Sequence, residues 1–419
     1  MWVACDENNV IVAVADTPIN IKGLTTHKFK DLPQKEWSKW LGRGIVAKEK
    51  KKVSELRIAF VCNWNDPCGI STYSKYLLTA IQPKVADVAV FSEIVPTPTS
   101  EDEQFVRRCW RRGESMVSAI KSVLSWKPDL VIVQHEFGIF PKATYFLQML
   151  QMLEKVPYAV TVHSVYEHLD KSVCTSAIKN IVVHSDQGEN ILRKVGNNSK
   201  VFVIPHGCVE FDEKDRTELW NIFQTPYALM QFGFGFFYKG VDVVLDAVAH
   251  LKKEQPDKYQ DIFYLYLCSD NSHANHIHAQ YYNFLLKKIE ELGLQDNAAI
   301  IRKFQTDQAI NNYLRTAKIA LFPYVINPHN TVYGASGAIR IAMANGIPVI
   351  ASNSHLFDDM EGVIPRPSNA IELAQEIDKV FSSHVHREAM LGRINNYIAQ
   401  NTWGICADRY LQLYHELVN

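Results

Sequence analysis

The sequence predicts an α/β protein of two Rossmann-like, doubly wound domains facing a cleft, plus a small N-terminal β-containing extension. Three observations carry this expectation. From Arg57 to Ile204, short apolar runs alternate with stretches of helical period. A second alternation of the same kind runs from Ala228 to Ile350. Between them, Pro205-His206-Gly207 breaks the first series and a charged connector spans Glu210 to Glu218. Strands apolar at every position are buried on both faces, as in a parallel sheet covered by helices. Tandem sheets of this kind offer ligand sites at the carboxyl ends of their strands.

The 419 residues are enough for two or three domains with ample core. A hydrophobic share of 47% and a charged share of 21% are ordinary for a globular chain. The 44 Lys+Arg nearly balance the 45 Asp+Glu, so no global basic excess calls for nucleic acid or an anionic membrane. Eight scattered cysteines include no C-x-x-C pair, which argues against a zinc ribbon or redox pair. Several sit in apolar runs as small core residues, and a reducing cytosol is expected. Asp6 and Glu7 stand where a signal peptide would be basic, and no apolar run is long enough to span a bilayer. The expected location is cytoplasmic, with peripheral membrane attachment and homo-oligomerisation left open.

In residues 1–55, Trp2–Cys5 and Val10–Val14 flank Asp6-Glu7-Asn8-Asn9 and read as a β-hairpin. A Trp-bearing helical stretch, Glu36 to Leu41, follows, and Lys48 to Lys52 reads as a solvated linker. In the first domain, 56–209, strands are expected at Arg57–Cys62, Val88–Phe91, Leu130–Val133, Tyr158–Val162, Ile181–Val183 and Val201–Ile204. Helices are expected at Ile70–Ile81 and Glu114–Trp126. Arg107-Arg108-Cys109-Trp110-Arg111-Arg112 reads as a solvated helix start; the functional alternative is an acceptor groove for phosphate, a nucleic acid strand or an anionic lipid head group. In the second domain, 210–401, strands are expected at Ala228–Phe232, Phe263–Leu267, Ala299–Ile301 and Ile319–Phe322. Its helices are Val241–Leu251, Tyr281–Leu292 and Ala309–Arg315. Next comes a small-residue turn, Tyr333-Gly334-Ala335-Ser336-Gly337, leading into a short helix. Gly346 closes that helix and Ile347–Ile350 is a buried strand. Ser336 is a good N-cap, so the free N–H groups of Gly337 and Ala338 point out of the helix start, a ready anion site. Thr402-Trp403 opens a last helix, 402–419, expected to pack back on the first domain.

Five places, in order, resemble the retaining, GT-B-fold glycosyltransferases of family four. They are the loop Asp66 to Ser74, the stretch Gln134 to Phe140, Val162-His163-Ser164, the segment Phe237-Tyr238-Lys239-Gly240-Val241-Asp242, and Gly334 to Ile350. The resemblance covers roughly residues 57–419. It implies a GT-B fold whose first domain binds the acceptor and whose second binds a nucleotide diphosphate sugar, of UDP or GDP type. It implies transfer with retention and without a bound metal; no His-x-x-x-His spacing occurs around His135, His163 and His206. No cofactor is expected beyond the nucleotide sugar. The acceptor stays open among a glycan, a lipid-linked sugar, a small molecule, a protein and a nucleic acid.

Carried over residue by residue, the resemblance gives His163, Lys239 and Glu136 catalytic roles. It gives donor contacts to Gly69, Ile70, Lys239, Arg302, Tyr333, Gly334, Ala335, Ser336, Gly337, Ala338 and Arg340. The chemistry asks for such groups, since negative charge grows on the leaving diphosphate and needs cations and free amides. His163 suits a sugar 6-hydroxyl, and Glu136 an acceptor-side base or a structural carboxylate. The chain departs from the family in two places. An arginine expected a few residues before the lysine is replaced by Phe234 or a neighbour, which is why Arg302 and Arg340 enter as candidate second cations. Two glutamates eight residues apart are replaced by Tyr333 and Ile341, leaving Asn330, Thr331 and the amides of Gly334 and Ala335 as substitutes. Two alternatives remain: a non-hydrolysing nucleotide-sugar epimerase and a catalytically silent sugar-nucleotide-binding protein.

Overall fold

The computed structural model describes residues 2–5, 11–15, 25–28, 51–167, 177–210, 223–270, 275–329 and 331–417. Contacts divide the chain into two units, 1–51 and 52–419. In the first unit, β1 (Trp2–Cys5) pairs antiparallel with β2 (Ile11–Ala15), as the hairpin reading requires. A strand that was not anticipated, β3 (Thr25–Lys28), pairs with the other edge of β1. The expected helix at Glu36 to Leu41 and the linker up to Lys50 lie outside the described residues.

The second unit opens with β4 (Arg57–Cys62), α1 (Gly69–Ile81) and β5 (Asp87–Glu93). β6 (Val106–Trp110), α2 (Val117–Ser125), β7 (Leu130–His135) and α3 (Ala143–Leu153) follow. β8 (Tyr158–Val162), β9 (Ser164–Tyr166), β10 (Asn180–Val183), α4 (Asp186–Lys194) and β11 (Lys200–Val203) complete this half. Seven strands form one parallel sheet, β11-β10-β8-β7-β4-β5-β6. Chain order reverses between β4 and β7, so the crevice opens at their carboxyl ends.

The basic stretch corrects one expectation. Arg107 to Trp110 lies in strand β6, at the sheet edge, and does not start a helix. Its arginines are not all solvated. Arg108 donates to Asp102 at 2.7 Å and to the carbonyl of Trp64 at 3.0 Å. Arg112 donates to Glu93 at 2.8 Å. Internal carboxylates and carbonyls take up these charges, and the polar edge discourages further strand pairing.

The second sheet domain comprises β12 (Ala228–Phe234), α5 (Val241–Glu254), α6 (Pro256–Tyr259), β13 (Phe263–Ser269) and α7 (Asn275–Glu291). It continues through β14 (Ala298–Arg302), α8 (Asp307–Thr316), β15 (Ile319–Phe322), β16 (Val332–Gly334), α9 (Gly337–Ala344) and β17 (Val349–Ala351). Then come α10 (Ala370–Ser382), α11 (His384–Gln400) and α12 (Trp403–Leu417). The parallel sheet runs β14-β13-β12-β15-β17, with its order reversing between β12 and β15.

Two connections join the halves. β9 and β16 form an antiparallel ribbon, with Tyr333 opposite Val165 and Gly334 opposite Ser164. The expected turn at Tyr333 and Gly334 is therefore strand, and Tyr333 joins the core of the first domain. The second connection is the chain crossing: Cys208 N–H donates to the Asn401 carbonyl at 2.7 Å, and α12 returns to the first sheet. There the Tyr410 hydroxyl meets those of Tyr73 (3.0 Å) and Thr161 (2.8 Å). Among the described residues, no helix is long and apolar enough to cross a membrane.

Candidate active site

Lys239 follows β12 in a short turn, Phe237–Lys239, that ends at Gly240. Gly240 has φ +64°, and a Cβ there would collide with the Pro323 carbonyl, so only glycine lets the loops after β12 and β15 meet. Three groups brace the turn from below. Gln231 donates to the Lys239 carbonyl at 2.8 Å, Tyr264 donates to Gln231 at 2.7 Å, and Tyr266 donates to the Phe234 carbonyl at 2.9 Å. The Lys239 side chain is 7% exposed. Its Nζ donates to the Tyr324 hydroxyl at 2.6 Å and sits 4.0 Å from the centroid of that ring. Burial holds the Lys239 ammonium below its ordinary range, with Tyr238 acting in the opposite sense.

Tyr324 follows β15, and its hydroxyl lies 3.3 Å from Ser336 Oγ. Ser336 occupies the N-cap of α9, yet its side chain caps no amide because it turns to Tyr324. Among the described residues the first amides of α9 thus receive no N-cap side chain, and the helix dipole adds positive potential there. The result is a buried cation, a phenol and an uncapped helix start grouped at the crevice between β12 and β15.

Across the ribbon, Glu136 follows β7, its carboxylate accepting from the Phe137 amide at 3.1 Å. Burial pushes its carboxyl up, against the Ser164 hydroxyl and the Phe137 amide. Ser164 pairs with Gly334, so Glu136 stands beside the ribbon that reaches the second domain.

Both ring nitrogens of His163, the expected sugar contact, are engaged inside the protein. His184 Nδ1 lies 3.1 Å from the Ile204 carbonyl and so carries the proton. Its Nε2 then accepts from His163 Nδ1 at 3.2 Å. His163 Nε2 lies 2.8 Å from Gln134 Oε1, and with Nε2 left as an acceptor the Gln134 amide must turn to present its NH2. Burial holds His163 and His206 well below the usual imidazole range and brings His184 down to about 4. Tyr73 packs on all three rings at centroid distances of 4.7, 5.2 and 4.9 Å.

Arg340 and Arg302, the candidate second cations, are both paired within the chain. Arg340 is fully buried and spends its guanidinium on Asp359, the Ser336 carbonyl (2.7 Å), the Tyr397 hydroxyl (3.0 Å) and the His206 carbonyl (3.2 Å). Arg302 holds Asp270 through two nitrogens, Nε at 3.0 Å and Nη2 at 2.8 Å. Its strand lies two places from β12, about 10 Å away.

Gly69 and Ile70 start α1 at the end of β4, where Cys68 Sγ accepts from the Ser71 amide at 3.3 Å. Gly334 is held against the His163 carbonyl, where a Cβ would collide. Ala335 and Ala338 are half-buried, and Gly337 faces His206. Tyr333 packs tilted against His355 with centroids 4.6 Å apart. Tyr324 and His184 escaped the sequence reading. The position of Tyr324 immediately after Pro323, at a strand end of the crevice, is the signal that would have found it. Among the described residues, no group of three His, Cys, Asp or Glu is placed to hold a metal ion.

Known proteins share the fold. The model of the family Glycosyl transferases group 1 matches residues 231–383, which contain both Lys239 and α9. No curated protein matches the chain. HepE of Anabaena, solved with UDP and glucose, superposes with a TM-score of 0.63 at 13% identity, over 87% of this chain and 100% of that one. Sucrose-phosphate synthase of Thermosynechococcus elongatus gives 0.66 at 16%, over 87% and 99%. A trehalose-6-phosphate synthase studied for glycosyl transfer with retention gives 0.66 at 10%, over 86% and 99%. The fold is that of these GT-B structures, two Rossmann-like domains.

Proposed function

We propose that this chain is a glycosyltransferase that moves a sugar from a nucleotide diphosphate sugar to an acceptor, with retention and without a divalent ion. The observation that carries the reading is Lys239: a buried ammonium whose hydrogen-bond partner is a neutral phenol, beside an uncapped helix start. A cation held out of water next to free amides is matched to a diphosphate, whose charge grows as the glycosidic bond breaks. The family match over 231–383 and the UDP-bound HepE fold support the same donor class. Glu136 faces the acceptor side as a base or hydrogen-bond acceptor. His163 acts from beneath the site as a positioning residue. Retention follows from the resemblance: the leaving phosphate takes the acceptor proton on the face it departs from.

The decisive experiment is incubation with a panel of UDP-, GDP- and ADP-sugars, following transfer, hydrolysis, epimerisation and binding separately. Lys239→Ala is expected to lower turnover by about 10²-fold or more and to weaken nucleoside diphosphate binding while the fold persists. Unchanged diphosphate affinity in that variant would sink the assignment. Because Lys239 and the α9 amides meet the leaving-group charge, turnover is expected to survive excess EDTA. A full loss restored by Mn²⁺ or Mg²⁺ would refute metal independence. Proton NMR of the product's anomeric centre decides retention.

A further inference from the structure

We propose that Tyr324 is a second hydrogen-bond donor to the donor's diphosphate, filling the place that the resemblance assigns to an arginine near Phe234. The inference rests on the donor-site reading above and adds the residue that completes it.

Phe234 supplies no positive charge after β12, and the two arginines that could replace one are consumed elsewhere, Arg302 by Asp270 and Arg340 by Asp359. Among the candidate cations, Lys239 then remains to face a group of two or more negative charges. Next to it stands the Tyr324 hydroxyl. Lys239 Nζ has only protons to give, so at 2.6 Å it takes a lone pair of the phenol oxygen. The phenolic proton must point elsewhere. Its available acceptor is Ser336 Oγ at 3.3 Å, long for a hydroxyl–hydroxyl bond, which falls near 2.7–2.8 Å. That proton is directed at the α9 start yet loosely held.

An anion seated on the α9 amides would offer it a charged acceptor, and such bonds are shorter and stronger than neutral ones. Donation from Lys239 polarises the phenol and makes its O–H a better donor, as in any hydrogen-bond chain at low dielectric. Burial pushes the Tyr324 phenol above its ordinary range, so it keeps its proton near neutrality. The ring is fixed edge-on to Tyr238 at 5.7 Å and tilted against Phe357 at 5.0 Å, so the hydroxyl is held in place before the ligand arrives. Lys239, Tyr324 and α9 thereby act in sequence: charge, oriented proton, free amides.

Tyr324→Phe removes one oxygen and keeps the ring and its packing. Calorimetric titration of the full chain with UMP, UDP, GMP and GDP reads the contribution of the second phosphate directly. The wild type is expected to bind a diphosphate more tightly than its monophosphate, and Tyr324→Phe to narrow that preference about tenfold. Turnover of the nucleotide sugar should fall by about 10²-fold. An unchanged preference, or an equal loss for mono- and diphosphates, overturns the assignment, since packing alone would produce either. A wild type that does not prefer diphosphates overturns the donor-site reading itself and this proposal with it. That failure shows in the unmodified chain and is distinct from a failure specific to Tyr324.

Discussion

At the scale of single residues, the chain buries charged and titratable groups where most proteins bury hydrocarbon. Lys239, Arg340, His184 and His206 are all nearly inaccessible. Arg340 has Asp359 and three oxygen acceptors, so its charge is compensated inside the protein. Lys239 has no such counter-ion at its hydrogen bond, and that asymmetry separates a structural cation from one awaiting a ligand. The histidines give a pH prediction. An unfolded imidazole protonates near 6.5, whereas folded His184 resists protonation down to about 4. Between those values the unfolded chain binds more protons, so stability rises with pH. The His184 contribution is fully present above pH 6.5 and is lost as pH falls towards 4; His163 and His206, also held low, act in the same direction. The loss attributable to His184 is about 3 kcal/mol. Urea midpoints measured from pH 7 to pH 4.5 should fall steadily, and a flat profile across that window would contradict the neutral imidazole chain.

Among the elements, the β9–β16 ribbon has the largest consequence for function. It hydrogen-bonds the segment after His163 to the segment before α9, so the strand next to Glu136 and the helix next to Lys239 move together. Gly334 is the tightest point of that ribbon, because a side chain there would strike the His163 carbonyl. Tyr333 adds a ring to the first-domain core and packs tilted against His355, which is itself held by Asp358 at 2.8 Å. Gly334→Ala should therefore separate the strands at a cost of about 1–3 kcal/mol. Hydrogen exchange read by mass spectrometry should show faster exchange at residues 164–166, while the buried strand β12 keeps its protection. Unaltered exchange at 164–166 would mean that the ribbon absorbs the extra methyl group and does not clamp the halves.

For the whole molecule, residues 52–419 form one contact unit that contains both parallel sheets and the returning helix α12. The described strands of the first unit form one three-stranded sheet, β2-β1-β3. We propose that residues 1–55 are an accessory module outside the catalytic core, serving acceptor binding or self-association. A chain starting at Val53 is expected to be soluble and to bind UDP or GDP with the affinity of the full chain. It should lose transfer to the acceptor or change its mass in solution. An insoluble truncation rejects the proposal, and so does a soluble one with wild-type transfer and the same mass.

What the sequence determined by itself is the two parallel sheets and the place of the Lys239-Gly240 turn. Runs such as Arg57–Cys62 and Ala228–Phe232 bury both faces, so their apolar character is local and legible. Lys239-Gly240 and the Gly337 helix start were legible because backbone geometry at a strand-to-helix turn constrains the residue types that fit. Only the tertiary structure decided what each polar group does. Arg340 and Arg302 looked like free cations because their partners, Asp359 and Asp270, lie 19 and 32 residues away along the chain. His163 looked like a sugar contact because its partner His184 comes from a different strand, 21 residues on. Ser336 looked like a helix cap until Tyr324 drew its hydroxyl away. A hydrogen bond depends on where a donor and an acceptor meet in space, and residue order records only where the chain may turn.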